Sequence, residues 1–277
     1  GSKKLKAIVV RGTVGVKVND AMAMMKTSNA AKEILAENAV TGEGLPTHGT
    51  QVLMNVINEL GALPTRNGHD VQFEGAHDIS AEAMAEPRES DGEANLVSNA
   101  ACFNCPISCQ RRSKIDPNHF TVKGKEKYQI VSGGLEYEAA WALGAACGVK
   151  DLDAVTFANF VCNEQGLDPI TLGSTLGAAM DLYAAGAITS DDTGGHELTF
   201  GNTEAFVAMV EDASAWTEDA VSTASFQFGE EMLRTFEKLP RMVKKGCEIA
   251  DNPEDNHRWC RSVFRIQASA LEIVACI

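Results

Sequence analysis

Asp151-Leu152-Asp153-Ala154-Val155-Thr156-Phe157-Ala158-Asn159-Phe160-Val161-Cys162 reads as a helix, and its apolar residues decide what must surround it. Leu152, Val155, Phe157, Phe160 and Val161 cover too wide an arc for a helix with one wet face, so most of its sides are buried. The flanking sequence supplies further helices. Upstream, Leu135-Glu136-Tyr137-Glu138 opens a small-residue helix over 139–147, ended by Gly148. Downstream, Gly166-Leu167-Asp168-Pro169 is a turn, and Pro169 is placed to begin a helix over 170–184 that Gly186 stops. Helices over 203–215 and 218–238 follow.

The N-terminal half adds shorter pieces. Residues 5–12, Leu-Lys-Ala-Ile-Val-Val-Arg-Gly, read as one strand. Asn19 or Asp20 caps a helix to residue 39, whose Ala21, Met24, Met25, Ile34 and Leu35 form a stripe expected to fill a core. A loop over 45–50, a helix over 51–60 closed by Gly61, and a short helix over 79–84 capped by Asp78 or Ser80 come next. His48, His69 and His77 fall in loops or at helix ends without zinc spacing and read as solvated. Residues 116–134 are a polar connection. One strand and about eight helices make a mainly α protein.

Composition narrows the class. With 277 residues, 44% of them hydrophobic and 22% charged, the chain can bury a large core. A formal charge of −14 argues against nucleic acid or an anionic membrane as partner. No apolar run approaches the roughly 20 residues of a membrane span, and no signal peptide opens the chain. A cytoplasmic location is expected. Eight cysteines are too few for a disulfide scaffold; Cys147, Cys162, Cys247, Cys260 and Cys276 are scattered, as core residues or free thiols.

Three are not scattered. Cys102-Phe103-Asn104-Cys105-Pro106-Ile107-Ser108-Cys109 sets three thiols in a Cys-x2-Cys-x3-Cys loop, the donor type of an iron–sulfur cluster, which usually takes four. A zinc knuckle and three unrelated thiols are the alternatives, although no second close pair of Cys or His accompanies the run. The basic stretch Arg111-Arg112-Ser113-Lys114 that follows reads as a solvated loop, or as cations tuning an anionic cluster.

Two polar stretches could also do chemistry. Glu136 and Glu138 precede the small-residue helix; glutamates two apart do not share a helix face, so only one is expected at a given site. Such a carboxylate could move protons, or simply favour the helix N-terminus. Asn163-Glu164-Gln165-Gly166-Leu167-Asp168 could present polar groups to a ligand, or be an ordinary helix stop.

In order along the chain, residues 1–12, His48-Gly49-Thr50, 58–67 (Asn-Glu-Leu-Gly-Ala-Leu-Pro-Thr-Arg-Asn), the cysteine loop, 135–138, 162–168 and 201–205 resemble the tungsten-dependent aldehyde:ferredoxin oxidoreductases. The similarity is good to about residue 208 and patchy beyond. It implies helical domains of that type, with residues 1–18 a strand and linker from an absent N-terminal pterin-covering domain. Residues 19–200 would be a helical domain with the cluster loop and a pterin-contacting turn, and 201–277 a second, abridged one.

The resemblance further implies oxidation of an aldehyde to a carboxylic acid at tungsten, or molybdenum, held by two pterins. Electrons would leave through a 4Fe–4S cluster to ferredoxin or another electron-transfer protein, with a homodimer or an iron–sulfur subunit as further partners. Cys102, Cys105 and Cys109 would hold the cluster. Cys276 matches the fourth ligand by position, although the Asp and Gly of the family's Asp-x-x-Gly-Leu-Cys motif are absent. Asn163, Gly166, Leu167 and Asp168 match a pterin-contacting Asp-x-x-Gly-Leu-Asp motif, with Asn replacing the first Asp. Glu138 matches a proton-moving glutamate, and His257 is the candidate for the active-site histidine. A module that keeps the cluster without tungsten chemistry, or a remnant with free thiols, are the competing readings.

Overall fold

Eight helices and three short strands are formed among residues 8–219, which the computed structural model describes (side chains to 214). In chain order the helices are α1 (Ala21–Glu37), α2 (Leu45–His48), α3 (Leu53–Glu59), α4 (Ala81–Ala85), α5 (Tyr137–Leu143), α6 (Leu152–Gln165), α7 (Pro169–Ala184) and α8 (Thr203–Asp219). The strands are β1 (Leu96–Ala100), β2 (Gln110–Ser113) and β3 (Ser132–Gly133). The chain divides into two units, 1–15 with 215–277, and 16–214. His257 and Cys276 lie outside the described residues.

Every residue from 154 to 162 of α6 is buried, as its broad apolar surface requires. Asp151 caps it by accepting from the Ala154 amide at 2.9 Å, and Gly166 ends it in the left-handed region. Tyr128 makes T-shaped ring contacts with both Phe157 and Phe160, at ring separations of 5.2 and 5.3 Å. On another side α5 and α7 approach so closely that a Cβ on Gly173 would fall 2.3 Å from the Ala142 carbonyl oxygen. The helix expected over 139–147 is broken at Gly144, where a Cβ would strike the Ala140 oxygen and Ile79, and it resumes as a 3-10 turn over Ala145–Cys147. Phe206 and Val210 of α8 complete this core.

Other expectations need correction. The described part of the N-terminal stretch, 8–12, forms no strand; Ile8, Val9 and Val10 are exposed and no described strand pairs with them, so the ladder that would define a strand is missing. The helix capped by Asp20 is α1, but its methionines fill no core: Met24 is 58% exposed and no residue of α1 is buried. The loop expected over 45–50 is helical turn, α2 running into a 3-10 turn over Gly49–Val52. His69 bonds Asp181 on α7 at 2.6 Å, so it is partnered although half-exposed.

His119, which no sequence pattern singles out, pins the polar connection to the start of α6. Its Nε2 lies 3.1 Å from Asp151 Oδ2 and its Nδ1 2.8 Å from Thr121 Oγ1. Burial alone would lower the imidazole pKa, but the hydrogen bond and charge of Asp151, with the charges of Asp153 and Asp116, raise it. Burial acts to raise the Asp151 pKa, and the bonds from His119 and the Ala154 amide lower it overall.

Two outcomes follow for stability. Gly173→Ala should destabilise the protein by about 1–3 kcal/mol or more, because backbone rather than a mobile side chain must move. Gly177→Ala, whose Cβ meets the Ala146 oxygen at 3.2 Å, should cost less; equal urea midpoints for the two would contradict the packing described. The raised histidine contributes stability that is complete below its unfolded pKa of about 6.5 and lost as pH climbs through the folded value, whereas the depressed Asp151 contributes above about 3.9. The gap in unfolding free energy between wild type and His119→Gln should therefore be wider at pH 5.5 than at pH 8.5, and a gap independent of pH would count against the pair.

Candidate active site beside a cysteine hairpin

The cysteine run is the loop of a β-hairpin. β1 and β2 pair antiparallel, with Asn99 opposite Arg111 and Ala100 opposite Gln110, so residues 101–109 form the connection between them. The Cys105 amide bonds the Cys102 carbonyl at 3.0 Å, making a tight turn. Asn104 and Ser108, at φ of 60° and 56°, adopt the left-handed region that residues other than glycine seldom occupy. Each precedes a cysteine. Cys102 is exposed, Cys105 and Cys109 are half-buried, and Phe103 between them is fully exposed. Lys32 of α1 donates to Asn104 Oδ1 at 2.8 Å.

Among the described residues, no three Cys, His, Asp or Glu side chains gather as a mononuclear metal site would require. Cys147 and Cys162 offer no further thiolate: both lie in the core, and burial pushes each thiol up to about 12, the charge of Asp168 adding to the effect at Cys162.

The stretch Arg111-Arg112-Ser113-Lys114 is not a solvated loop. Its first three residues belong to β2, and the pleat sends them alternately inward and outward. Arg111 is only 3% exposed. Its Nη2 donates to the Leu45 carbonyl at 2.9 Å and its Nη1 to Asn99 Oδ1, while Asn99 in turn donates to the Pro46 carbonyl at 2.6 Å. Its Nε has no partner among the described residues, nor has the buried Ser113 Oγ. Leaving such a buried donor unmet costs about 1–3 kcal/mol. Gly49, at φ 61°, makes room for the guanidinium: a Cβ there would lie 2.6 Å from Arg111 Nε and 2.8 Å from the Cys109 carbonyl oxygen. Burial lowers the Arg111 pKa, against the charges of Glu136 and Cys109, yet a guanidinium stays protonated even so.

A cleft of about 510 Å³ is lined in part by the strands of the hairpin. Gln110, Arg111 and Arg112 of β2 form one wall, and Asn159, Asn163, Pro169 and Ile170 another. Glu136 and Glu138 both line it. The helix-face rule fails for this pair because Glu136 is the extended N-cap residue of α5 rather than part of the helix. The two differ in tether: Glu136 Oε2 accepts from Thr50 Oγ1 at 2.5 Å, whereas Glu138, exposed at the cleft, accepts from Trp141 Nε1 through Oε2 at 2.6 Å. The Trp141 contact was legible as an i, i+3 pair on one helix face.

The remaining sequence candidates are only partly assembled. Asn163 is exposed at the cleft, 3.3 Å from where a Cβ on Gly133 would be. Asp168 caps α7, accepting from the Thr171 amide at 2.7 Å and its hydroxyl at 2.5 Å. Gly166 and Leu167 close α6, the Leu167 amide bonding the Cys162 carbonyl at 2.9 Å. This turn is therefore a helix stop, with Asn163 on one side and Pro169 and Ile170 on the other reaching the cleft.

Comparison with known proteins identifies the family. Residues 26–249 match the family description "Aldehyde ferredoxin oxidoreductase, domains 2 & 3". The chain belongs to this family. It is 44% identical over 207 residues to the tungsten-containing aldehyde ferredoxin oxidoreductase of Pyrococcus abyssi, covering 74% of this chain and 31% of that protein. Proteins of the same name from Thermococcus kodakarensis and Pyrococcus furiosus are 39% and 36% identical, over 83% and 90% of this chain and 36% and 40% of theirs. The chain thus spans about a third of the length of these relatives. Its mainly helical fold is that of an oxidoreductase family, and no described helix is long and apolar enough to cross a membrane.

Asn159 holds the cleft floor, donating from α6 to the carbonyls of Gly133 and Gly134 at 3.1 and 3.4 Å. Asn159→Ala should cost about 1–3 kcal/mol and speed amide exchange at residues 132–134. Unchanged exchange there would show that the sheet is held by other means.

Proposed function

We propose that this protein takes part in oxidising an aldehyde to a carboxylic acid at a tungsten–pterin centre, its cysteine hairpin carrying a 4Fe–4S cluster that passes electrons to ferredoxin. The observation that carries the reading is continuity: the strand that leaves Cys109 becomes, within three residues, a wall of the cleft that Glu138 and Asn163 line.

The residues present fit a cluster. Thiolates are its ligands, and a four-iron cluster takes one per iron, so its donors surround it instead of meeting at a point. That suits a loop whose cysteines do not converge on one ion. An unpaired, buried cationic donor beside Cys109 suits an anionic group. The fourth thiolate would come from outside the described residues, where Cys276 is the candidate. No disulfide joins the five described cysteines, which supports a reducing, cytoplasmic setting.

The cleft fits part of a pterin site. Asn163, which lines it, offers an amide able to both donate and accept; Asp168, next to the cleft-lining Pro169, keeps Oδ1 free of its capping bonds. When bound, the tungsten–pterin and the cluster would supply two-electron oxidation and one-electron transfer respectively. The chain's own part is proton handling: converting an aldehyde and water into an acid releases two protons, and the cleft-lining Glu138 is the proposed acceptor. Trp141 fixes that carboxylate by occupying Oε2. His257 is proposed as the second proton carrier.

In the complete enzyme, Glu138→Gln should lower aldehyde oxidation at least about 100-fold with iron and tungsten contents unchanged, and Cys109→Ser should lose iron. Tungsten or molybdenum near one atom per chain, with iron, is expected in the wild type. Iron without either metal would instead support a pure electron-transfer module, and retained activity in Glu138→Gln would remove that residue from the mechanism.

A further inference from the structure

We infer that Arg111 is a positioning residue that sets the reduction potential of the cluster on the cysteine hairpin. The inference rests on the cluster reading above and adds to it a role for a residue that is neither ligand nor proton carrier.

Arg111 and Arg112 are neighbours on one strand with opposite surroundings. Arg112 faces solvent, where its charge is screened. Arg111 lies under the hairpin, clamped by the Leu45 carbonyl and Asn99, with Gly49 the only residue type that leaves room for its Nε beside the Cys109 carbonyl. Its position is therefore fixed, and its charge acts through protein rather than water. An electron added to an anionic cluster is stabilised by a nearby buried cation far more than by an exposed one. The Nε–H, unmatched by any acceptor among the described residues, is a further donor available to an anion there.

Glu136 is the opposing charge. It is held by Thr50 Oγ1 and acts on Arg111 from the cleft side. Arg111, on the strand that leaves Cys109, thus feels the charges of both Cys109 and Glu136, and can favour electrons on the hairpin while Glu136 partly offsets it.

Redox titration of the full-length holoenzyme, followed by electron paramagnetic resonance, tests this with iron content matched between variants. Arg111→Gln should disfavour reduction of the cluster by roughly tenfold, about 59 mV for one electron. Arg111→Lys should recover much of the shift, and Arg112→Gln should move the potential far less. Glu136→Gln should shift it the opposite way, to more positive values, and it decides the matter alone if Arg111→Gln fails to retain iron. Potentials of Arg111→Gln and Glu136→Gln no further from wild type than that of Arg112→Gln would overturn the inference while leaving the cluster reading intact. A wild-type protein without iron would overturn the cluster reading itself.

Discussion

The side-chain amide of Asn159 is the joint on which the site depends. It sits on the most buried of the described helices and donates to two successive carbonyls, those of Gly133 and Gly134. The Gly134 amide, in turn, donates to the Arg111 carbonyl at 2.7 Å. A short, mostly polar sheet that could not stand alone is thereby fastened to the core, and the cysteine hairpin is fastened with it. This joint helps to set the width of the cleft, whose two walls are the sheet on one side and α6 with the start of α7 on the other, together with the bonds from Asn95 to Asp153 and Thr156 of α6.

That construction explains why thiols and carboxylates of quite different character lie close together without sharing a role. Cys147 and Cys162 are core residues whose thiols stay protonated, whereas the hairpin holds its three cysteines at the surface on a backbone that visits the left-handed region twice. Glu136 is locked into a hydrogen bond with Thr50, and Glu138 is oriented by Trp141 with one oxygen left over. In each case the environment, not the residue type, selects the use.

The helical core was legible because its signals are local. Asp20, Ser80 and Asp151 cap helices as their side chains suggest, Pro169 begins α7, and the apolar surface of α6 announces its burial. The hairpin was not legible, since Leu96-Val97-Ser98-Asn99-Ala100 lacks alternation and has a mostly exposed strand profile. The burial of Arg111 followed from that omission: inside an unrecognised strand, an arginine among basic neighbours looks solvated. The N-terminal apolar stretch and the methionines of α1 failed for the opposite reason. Their pattern is apolar, but no described element covers them. Among site residues, Glu138 and Asn163 do reach one cleft, while Gly166, Leu167 and Asp168 serve mainly to end one helix and begin the next.

The central claim is that the hairpin bears a four-iron cluster serving the adjoining cleft. Mössbauer spectroscopy of the complete enzyme grown on iron-57 tests it most directly. The account predicts a single 4Fe–4S cluster per chain, absent from a Cys102→Ser, Cys105→Ser double variant. Iron absent from the wild type, or a cluster unaffected by those substitutions, would contradict it.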